Sequence, residues 1–183
     1  MVVTSPSYYG VVQPVQQFAA LCHRRNIPLI VDEAHGAHLG FHPDLPPSAI
    51  RSGADLVVQS THKMLPSMTM SSMLHIRGKR VCRTRLTRWL RILQSSSPSY
   101  PLMASLDLAR RVAATEGRRR LEDVLSGLAE IRKRIASFCR LSEAVGSLPQ
   151  DPLKLSLQSK TGTSGFRMAQ WLESQNCFPG LAD

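Results

Sequence analysis

The sequence predicts an α/β fold, with a mostly parallel sheet flanked by helices, and two apolar runs are the main evidence. The runs span 28–31 (Pro-Leu-Ile-Val) and 55–59 (Asp-Leu-Val-Val-Gln), and each is followed at once by ionisable or hydroxyl side chains. Continuous apolar runs bounded by turn signals are typical of strands buried on both faces of a parallel sheet. A helical pattern over 11–25, with Val15, Phe18 and Cys22 on one face, precedes the first run, and this alternation indicates the α/β class.

The remaining elements follow from turn signals and apolar periodicity. Further strands are expected at 2–4, 72–76 and 153–157, the second of these antiparallel or at an edge because only a short loop precedes it. Helices are expected at 79–93, at 102–144 with a break near Gly117, and at 164–175, with a short helical turn at 48–52. A Gly/Pro-rich boundary at 146–152 divides the chain into a large domain at 1–145 and the start of a small, incomplete domain at 146–183.

The composition is that of an ordinary folded chain. Of 183 residues, 43% are hydrophobic and 5% aromatic, which argues against disorder throughout and for a core of aliphatic side chains. The four cysteines show no C-x-x-C spacing, which argues against a zinc ribbon or a disulfide scaffold. The sequence has no apolar run of about 18 residues that would span a membrane, and its first residues lack signal-peptide features. We expect a cytoplasmic protein, or one of an organelle stroma if a targeting segment lies upstream.

The net charge of +10 raises the possibility of nucleic-acid binding, but its distribution argues against that function. Basic residues concentrate at 79–91 and 110–120, both on predicted helices. In the first helix they alternate with an apolar stripe that includes Leu86, Trp89 and Leu93. Basic residues opposite an apolar stripe usually form a solvated face.

Two clusters of polar side chains follow the main strands. Asp32 and His35 follow the first run, and Ser60, His62 and Lys63 follow the second. Taken singly, such an Asp is more often a cap or ion-pair partner, and such a Lys a surface residue. Together they fit a shared crevice, because ligands bind at the carboxyl ends of parallel strands. Pyridoxal phosphate would use every part: an amine for its aldehyde, a carboxylate for its ring nitrogen, and hydroxyls for its phosphate.

Three motifs at these strand ends resemble the ornithine/lysine/arginine decarboxylase family, which has an aspartate-aminotransferase-like fold. They are Asp-Glu-Ala-His-Gly-Ala-His at 32–38, Pro-x-Ser-Ala-x-x-x-Gly-Ala-Asp at 46–55 and Gln-Ser-Thr-His-Lys at 59–63. The resemblance is strong over residues 2–110 and weak beyond. It implies a pyridoxal 5'-phosphate enzyme that decarboxylates lysine, ornithine or arginine and works as a homodimer or larger homo-oligomer.

The resemblance also implies a role for each polar residue at the strand ends. Lys63 would hold the cofactor as a Schiff base, and Asp32, at the end of a buried strand, would pair with the pyridine nitrogen. With His35, which would lie near the ring hydroxyl, these two form the expected catalytic set. Ala34 would pack on the ring, and Ser60 and His62 would reach the phosphate. The expected cofactor-binding set is therefore Asp32, Ala34, His35, Ser60, His62 and Lys63.

The sequence departs from the family at two points. By the resemblance, the upstream half of the large domain would not be included in this sequence, and residues 1–145 would be the C-terminal part of the cofactor-binding domain. Met70 stands where a polar Gln is expected. We therefore expect an exposed sheet edge and impaired activity in this chain.

Three alternatives remain open at this point. The first is a catalytically inactive relative that keeps the fold as an interaction protein. The second is a DEAH-box-like nucleoside triphosphatase, because 30–35 matches its Asp-Glu-Ala-His string, although a G-x-x-x-x-G-K-[ST] loop is absent and the next strand ends in Ser-Thr-His-Lys. The third is a metal site of Asp32, His35, His38 and His42, although spacing on a loop does not define a geometry.

Overall fold

The computed structural model describes residues 1–141 and 148–182. The strands of this part are β1 (Val2–Thr4), β2 (Ile30–Asp32), β3 (Leu56–Gln59), β4 (Met73–Ile76), β5 (Cys139–Leu141) and β6 (Leu157–Ser159). The helices are α1 (Val15–His23), α2 (Thr61–Met64), α3 (Arg83–Leu93), α4 (Tyr100–Thr115), α5 (Gly117–Ile135) and α6 (Gly165–Ser174). None of the helices within these residues is long and apolar enough to cross a membrane.

The main sheet has the strand order β1-β2-β3-β4. β1, β2 and β3 are parallel neighbours, and β4 pairs with β3 in the antiparallel direction. The predicted α/β class and the antiparallel position of the strand near 72–76 are thus confirmed. In the register of the sheet, Val31 lies beside Val3 and Val57, so these three side chains point to the same face.

The core lies on one face of this sheet. Val15, Ala19 and Cys22 of α1 pack with Val31 and Val57 in a cluster that also includes residues of the 49–54 turn. The opposite face is open in part: Val2 is 70% exposed and Val58 39% exposed, although Leu56 on the same face is buried. The expectation that these strands are buried on both faces is therefore wrong at Val2 and Val58, whose side chains are exposed on this face.

The C-terminal third differs most from the sequence prediction. The break near Gly117 is confirmed, since α4 ends at Thr115 and α5 begins at Gly117, but the helix does not continue through 144. β5 follows it and pairs antiparallel with β6. The strand expected at 153–157 lies instead at Leu157–Ser159, and the predicted domain boundary at 145/146 lies outside the described residues.

Residues 148–154 pack against the loop that follows β1. The amide of Val12 donates to the Pro149 carbonyl at 2.8 Å, and the amide of Asp151 donates to the Gly10 carbonyl at 2.8 Å. Arg132 of α5 donates to the carbonyls of Pro152 and Lys154. This segment therefore lies close to the carboxyl ends of β1 and β2.

Candidate active site

Consecutive residues at the end of β2 point to opposite faces of the sheet. Asp32 lies on the open face and is exposed, whereas the next residue, Glu33, is 1% exposed. The alternation of side chains along a strand accounts for this difference. The expectation that Asp32 ends a strand buried on both faces is thus corrected: its carboxylate is accessible, with one oxygen accepting from the Ala34 amide at 3.0 Å.

The structure brings Lys63 and His35 together, although they are 28 residues apart in the chain. Lys63 lies on α2, the four-residue helix that starts directly after β3, and its Nζ is 3.4 Å from Nε2 of His35. β2 and β3 are adjacent and parallel, so the segments after them leave the sheet at the same edge. The predicted shared site of Asp32, His35 and Lys63 therefore has a structural basis in strand order.

The environment of His35 lowers the pKa of its ring below the ordinary value of 6.5. Burial is the main cause, and the charges of Lys63 and Lys154 act in the same direction, while Asp32 opposes them. The ring is therefore neutral at pH 7. Since an ammonium group has only donors, Nε2 accepts from Lys63 and the ring proton lies on Nδ1.

Tyr8 forms the wall of the site on the β1 side. Its ring meets that of His35 edge to face, with centroids 5.0 Å apart, and Nζ of Lys154 lies 5.7 Å from its centroid. Tyr8 also lines a cavity of about 280 Å³ with Lys154 and residues of α6. In the sequence, Tyr8 lies shortly after the strand expected at 2–4, but that position alone assigns it no role.

Residues 60–62 present hydroxyl and imidazole groups beside Lys63. The Ser60 side chain makes no cap hydrogen bond to α2, and the Thr61 hydroxyl is buried without a hydrogen-bond partner in the described chain. The His62 ring is held differently, because its Nδ1 lies 2.8 Å from the Ser71 carbonyl. A carbonyl only accepts, so Nδ1 carries a proton.

The side chains gathered at this site suit pyridoxal phosphate. The site combines a primary amine, a nearby accessible carboxylate, hydroxyls on the segment that carries the amine, and the small side chain of Ala34 between Asp32 and His35. An orphaned buried hydroxyl such as that of Thr61 is an unmet hydrogen-bonding demand of the kind that a ligand satisfies. The residues present therefore fit the cofactor that the motifs imply.

A buried hydrogen-bond chain lies directly beneath the site. Glu33 accepts from the Ala49 amide and from Nε2 of Gln59, each at 2.6 Å. Oε1 of Gln59 in turn lies 2.8 Å from Nε2 of His75 on β4. The sequence shows Glu33 only as part of the Asp-Glu-Ala-His motif and does not reveal this role, because the role depends on the face to which the side chain points.

The histidines proposed as metal ligands lie in separate contacts. Nε2 of His38 lies 3.0 Å from Oδ2 of Asp151, at an ion-pair distance but without hydrogen-bond geometry, and Nε2 of His42 lies 2.8 Å from Oε2 of Glu122. His35 contacts Lys63 instead. Among the described residues there is no group of three or more potential ligands that could hold a metal ion. The structure thus gives no support to the metal-site alternative.

Comparison with known proteins identifies the family. The family model for the major domain of Orn/Lys/Arg decarboxylases matches residues 1–148. An uncharacterized protein of Bacillus subtilis is 43% identical over 100% of this chain, and an arginine decarboxylase of the same organism is 39% identical over 100% of it. The chain spans 39% of the length of each relative.

Solved structures show the same fold. The lysine decarboxylase of Francisella novicida matches with a TM-score of 0.74 and 21% identity over 99% of this chain and 32% of that one. A serine palmitoyltransferase solved with its pyridoxal phosphate internal aldimine matches with a TM-score of 0.70 and 17% identity over 100% of this chain and 45% of that one. The family match includes the Asp-Glu-Ala-His run, which removes the basis for a DEAH-box assignment. The chain belongs to the Orn/Lys/Arg decarboxylase family and has the aminotransferase-like fold of pyridoxal-phosphate enzymes.

Proposed function

We propose that this chain carries the cofactor-binding centre of a basic amino-acid decarboxylase, with Lys63 as the residue that binds pyridoxal phosphate covalently. The observation that carries the proposal is the contact between Nζ of Lys63 and Nε2 of His35 at the strand edge that also bears Asp32. When bound, the cofactor supplies an electron sink that stabilises the charge left by departing carbon dioxide. The protein must bind it, orient it and manage protons.

The first task is to free the Lys63 amine of its proton, because only the neutral amine is nucleophilic. Neutral His35 presents Nε2 as an acceptor to that ammonium group. We therefore propose that His35 accepts a hydrogen bond from Nζ and orients it, while the proton itself leaves to solvent, because the lowered pKa of His35 makes its ring a weak base. Its edge-to-face contact with Tyr8 limits rotation of the imidazole and keeps Nε2 directed at Lys63.

Asp32 supports the second task, orientation of the ring. Its Oδ1 is held by the Ala34 amide, which fixes the carboxylate plane relative to the strand end. A carboxylate opposite a pyridine nitrogen favours the protonated nitrogen, because an opposite charge stabilises the charged form. Ala34, between Asp32 and His35, is the residue that we propose to pack on the ring.

Phosphate binding falls to the hydroxyls and imidazole of residues 60–62. Ser60 is placed to donate its hydroxyl proton. Since Nδ1 of His62 already donates to Ser71, the ring donates from Nε2 to a phosphate only in its protonated form. In that form His62 would contribute a charge-assisted hydrogen bond.

The proposed substrate is an amino acid with a cationic side chain, and the proposed assembly is a homodimer or larger homo-oligomer. The names of the relatives support the substrate class, since one is an arginine decarboxylase and one structure that shares the fold is a lysine decarboxylase. The chain spans 39% of the length of those sequence relatives, so the proposal names the class of basic amino acids and makes no choice among arginine, lysine and ornithine.

The test is chemical capture of the cofactor. The purified chain is incubated with pyridoxal phosphate, reduced with borohydride, digested and mapped by mass spectrometry. We expect the label on the peptide that contains Lys63, and none on that peptide in Lys63→Ala. Lys79→Ala, which removes an exposed lysine outside the site, is the matched control and should retain the label.

Two results would overturn the assignment. One is a label on a different lysine that persists in Lys63→Ala. The other is a folded chain, verified by circular dichroism, that takes no label at Lys63 over a range of cofactor concentrations. The second result would favour the inactive-relative alternative, in which the fold is kept and the chemistry is lost.

A further inference from the structure

One carboxylate joins the two chain segments that carry the site. Glu33 directly follows Asp32 and precedes His35 by two residues, and Gln59 precedes Lys63 by four residues. The hydrogen bond between the Glu33 carboxylate and Nε2 of Gln59 connects these segments across the end of the β2–β3 ladder. The second bond, from the Ala49 amide, ties the 49–54 turn to the same point.

We propose that Glu33 is a positioning residue for this site, and that protonation of its carboxylate reverses the hydrogen bonds along the Glu33–Gln59–His75 chain. The proposal rests on the function proposed above only in that the positioned groups are Asp32, His35 and Lys63. The reversal itself is a property of the protein without cofactor.

The donors and acceptors of the chain allow two complete arrangements. In the arrangement observed, both Glu33 oxygens accept, Gln59 donates from Nε2, and Oε1 of Gln59 accepts from Nε2–H of His75. When Glu33 gains a proton, its hydroxyl donates to Oε1 of Gln59, whose amide turns over and donates from Nε2 to Nε2 of His75. The His75 proton then resides on Nδ1, so the only net uptake is one proton at Glu33.

The chemistry of the surrounding groups makes this exchange accessible near neutral pH. Burial raises the pKa of Glu33 from 4.5 to about 7, and the hydrogen bonds from Ala49 and Gln59 oppose the rise. Burial also lowers the pKa of His75, so its ring is neutral near pH 7, where Glu33 titrates in the folded chain. Glu33 is bonded to an uncharged amide of the turn and to the uncharged side chain of Gln59 on β3, and the neutral imidazole of β4 contacts Gln59. Asp32, beside Glu33 in the chain, points to the opposite face.

The sign of the stability effect follows from linkage. Because the folded pKa lies above the unfolded one, the folded state binds more protons between about pH 4.5 and pH 7, so protonated Glu33 stabilises the fold. That contribution is complete below pH 4.5 and is lost as pH rises through 7. Relative to a variant that does not titrate, the folding equilibrium constant should fall on the order of 10²-fold across this window.

The matched variant is Glu33→Gln, which imitates the protonated arrangement. Its Oε1 accepts from the Ala49 amide, and its Nε2 donates to the reversed Gln59. Urea unfolding of the cofactor-free chain from pH 4.5 to pH 8 should show the 10²-fold relative change between wild type and Glu33→Gln. Glu130→Gln, an exposed change on α5, should follow the wild-type profile.

A second measurement does not depend on any variant folding. In a nitrogen NMR titration of the wild-type chain, the His75 ring nitrogens and the Gln59 side-chain amide should shift together with a midpoint near pH 7. Absence of a joint transition between pH 5 and pH 8 would overturn the proposal, as would parallel pH–stability profiles for wild type and Glu33→Gln.

The positioning role is tested on the cofactor-loaded chain by the visible absorbance of the bound cofactor as a function of pH. We expect an inflection near pH 7 in wild type that Glu33→Gln removes without loss of the Lys63 label. An inflection unchanged in the variant would refute positioning by Glu33. A chain that takes no label at Lys63 but shows the titration would refute the proposed function and leave the proton-driven reversal standing.

Discussion

Asp32 and Glu33 illustrate how two acids in sequence acquire different chemistry. Asp32 is exposed, with one oxygen fixed by a backbone amide, and can meet a ligand on the open face of the sheet. Glu33 is buried, with both oxygens engaged by amide donors, and cannot reach that face. Replacement of the Asp32 carboxylate should therefore affect catalysis, whereas replacement of the Glu33 carboxylate should affect the packing and hydrogen bonding of the fold.

We predict that Asp32→Asn separates cofactor capture from turnover. The Lys63 amine is unchanged, so the borohydride label should persist at that residue. Turnover should fall on the order of 10²–10³-fold, because a neutral amide does not favour a protonated pyridine nitrogen. The measurement is decarboxylation of arginine, lysine and ornithine by a full-length relative that carries the substitution at the matching position. Unchanged turnover there would exclude this role for Asp32.

At the residue scale, the sequence predicted the groups but not all of their surroundings. Asp32, His35 and Lys63 could be inferred because strand ends in a parallel sheet share an edge, and the Lys63–His35 contact agrees with this. The Glu33–Gln59–His75 chain could not, because it requires knowledge of which face is covered. The same holds for Met70, where an unexpected side chain was evident, but its left-handed backbone (φ 72°) and 80% exposure were not.

At the scale of elements, the loop after β2 depends on the close approach of the Gly36 backbone to the side chains of Glu33 and Pro6. A Cβ at Gly36 would lie 2.5 Å from Cγ of Glu33 and 2.8 Å from Cδ of Pro6. Neither neighbour can move freely, since Glu33 is held by two hydrogen bonds and Pro6 is buried. The loop that carries Ala34 and His35 therefore requires glycine at 36.

We predict that Gly36→Ala lowers the free energy of unfolding by about 1–3 kcal/mol through overpacking. The same substitution at Gly127 in α5, where no atom lies within 4 Å of the added carbon, should raise it by roughly 0.5–1 kcal/mol through helix propensity. Urea denaturation of both variants checks the pair. Equal effects at the two glycines would contradict the packing argument.

The elements themselves were predictable where the signal was local. The four strands of the main sheet and the edge position of β4 follow from apolar runs and loop lengths. The continuation of α5 to 144 was wrong because β5 exists by pairing with β6, and Cys139 lies opposite Ser159 in that pairing. A partner 20 residues away leaves no periodic trace in the segment itself.

At the scale of the whole molecule, two buried histidines connect the loop after β2 to distant segments. His38 lies against Asp151, and His42 lies against Glu122 of α5. The loop that carries part of the site is thus anchored to both α5 and the 148–154 segment. Rearrangement of either segment would be transmitted to His35 through this loop.

The open face and edge of the main sheet lead to a prediction about assembly. β1 has a neighbour on one side only, and Val2 and Val58 are exposed apolar residues on the open face. An unpaired edge beside an apolar surface favours association with other chains. We expect the purified chain to self-associate in a concentration-dependent manner in analytical ultracentrifugation and to show weak decarboxylase activity. A monomeric preparation with activity equal to that of full-length relatives would contradict this view.

The alternation along β2 has a consequence for insertions and deletions. A slip of one residue in a strand transfers every following side chain to the other face. One residue added within 28–31 would therefore direct Glu33 outward and Asp32 inward, although no residue type had been lost. Insertion or deletion of one residue in this strand would therefore be more damaging than many substitutions, whereas the 36–47 loop has no alternation of faces to conserve. The site therefore depends on the number of residues in β2, which decides the face to which each side chain points, as much as on the identity of those residues.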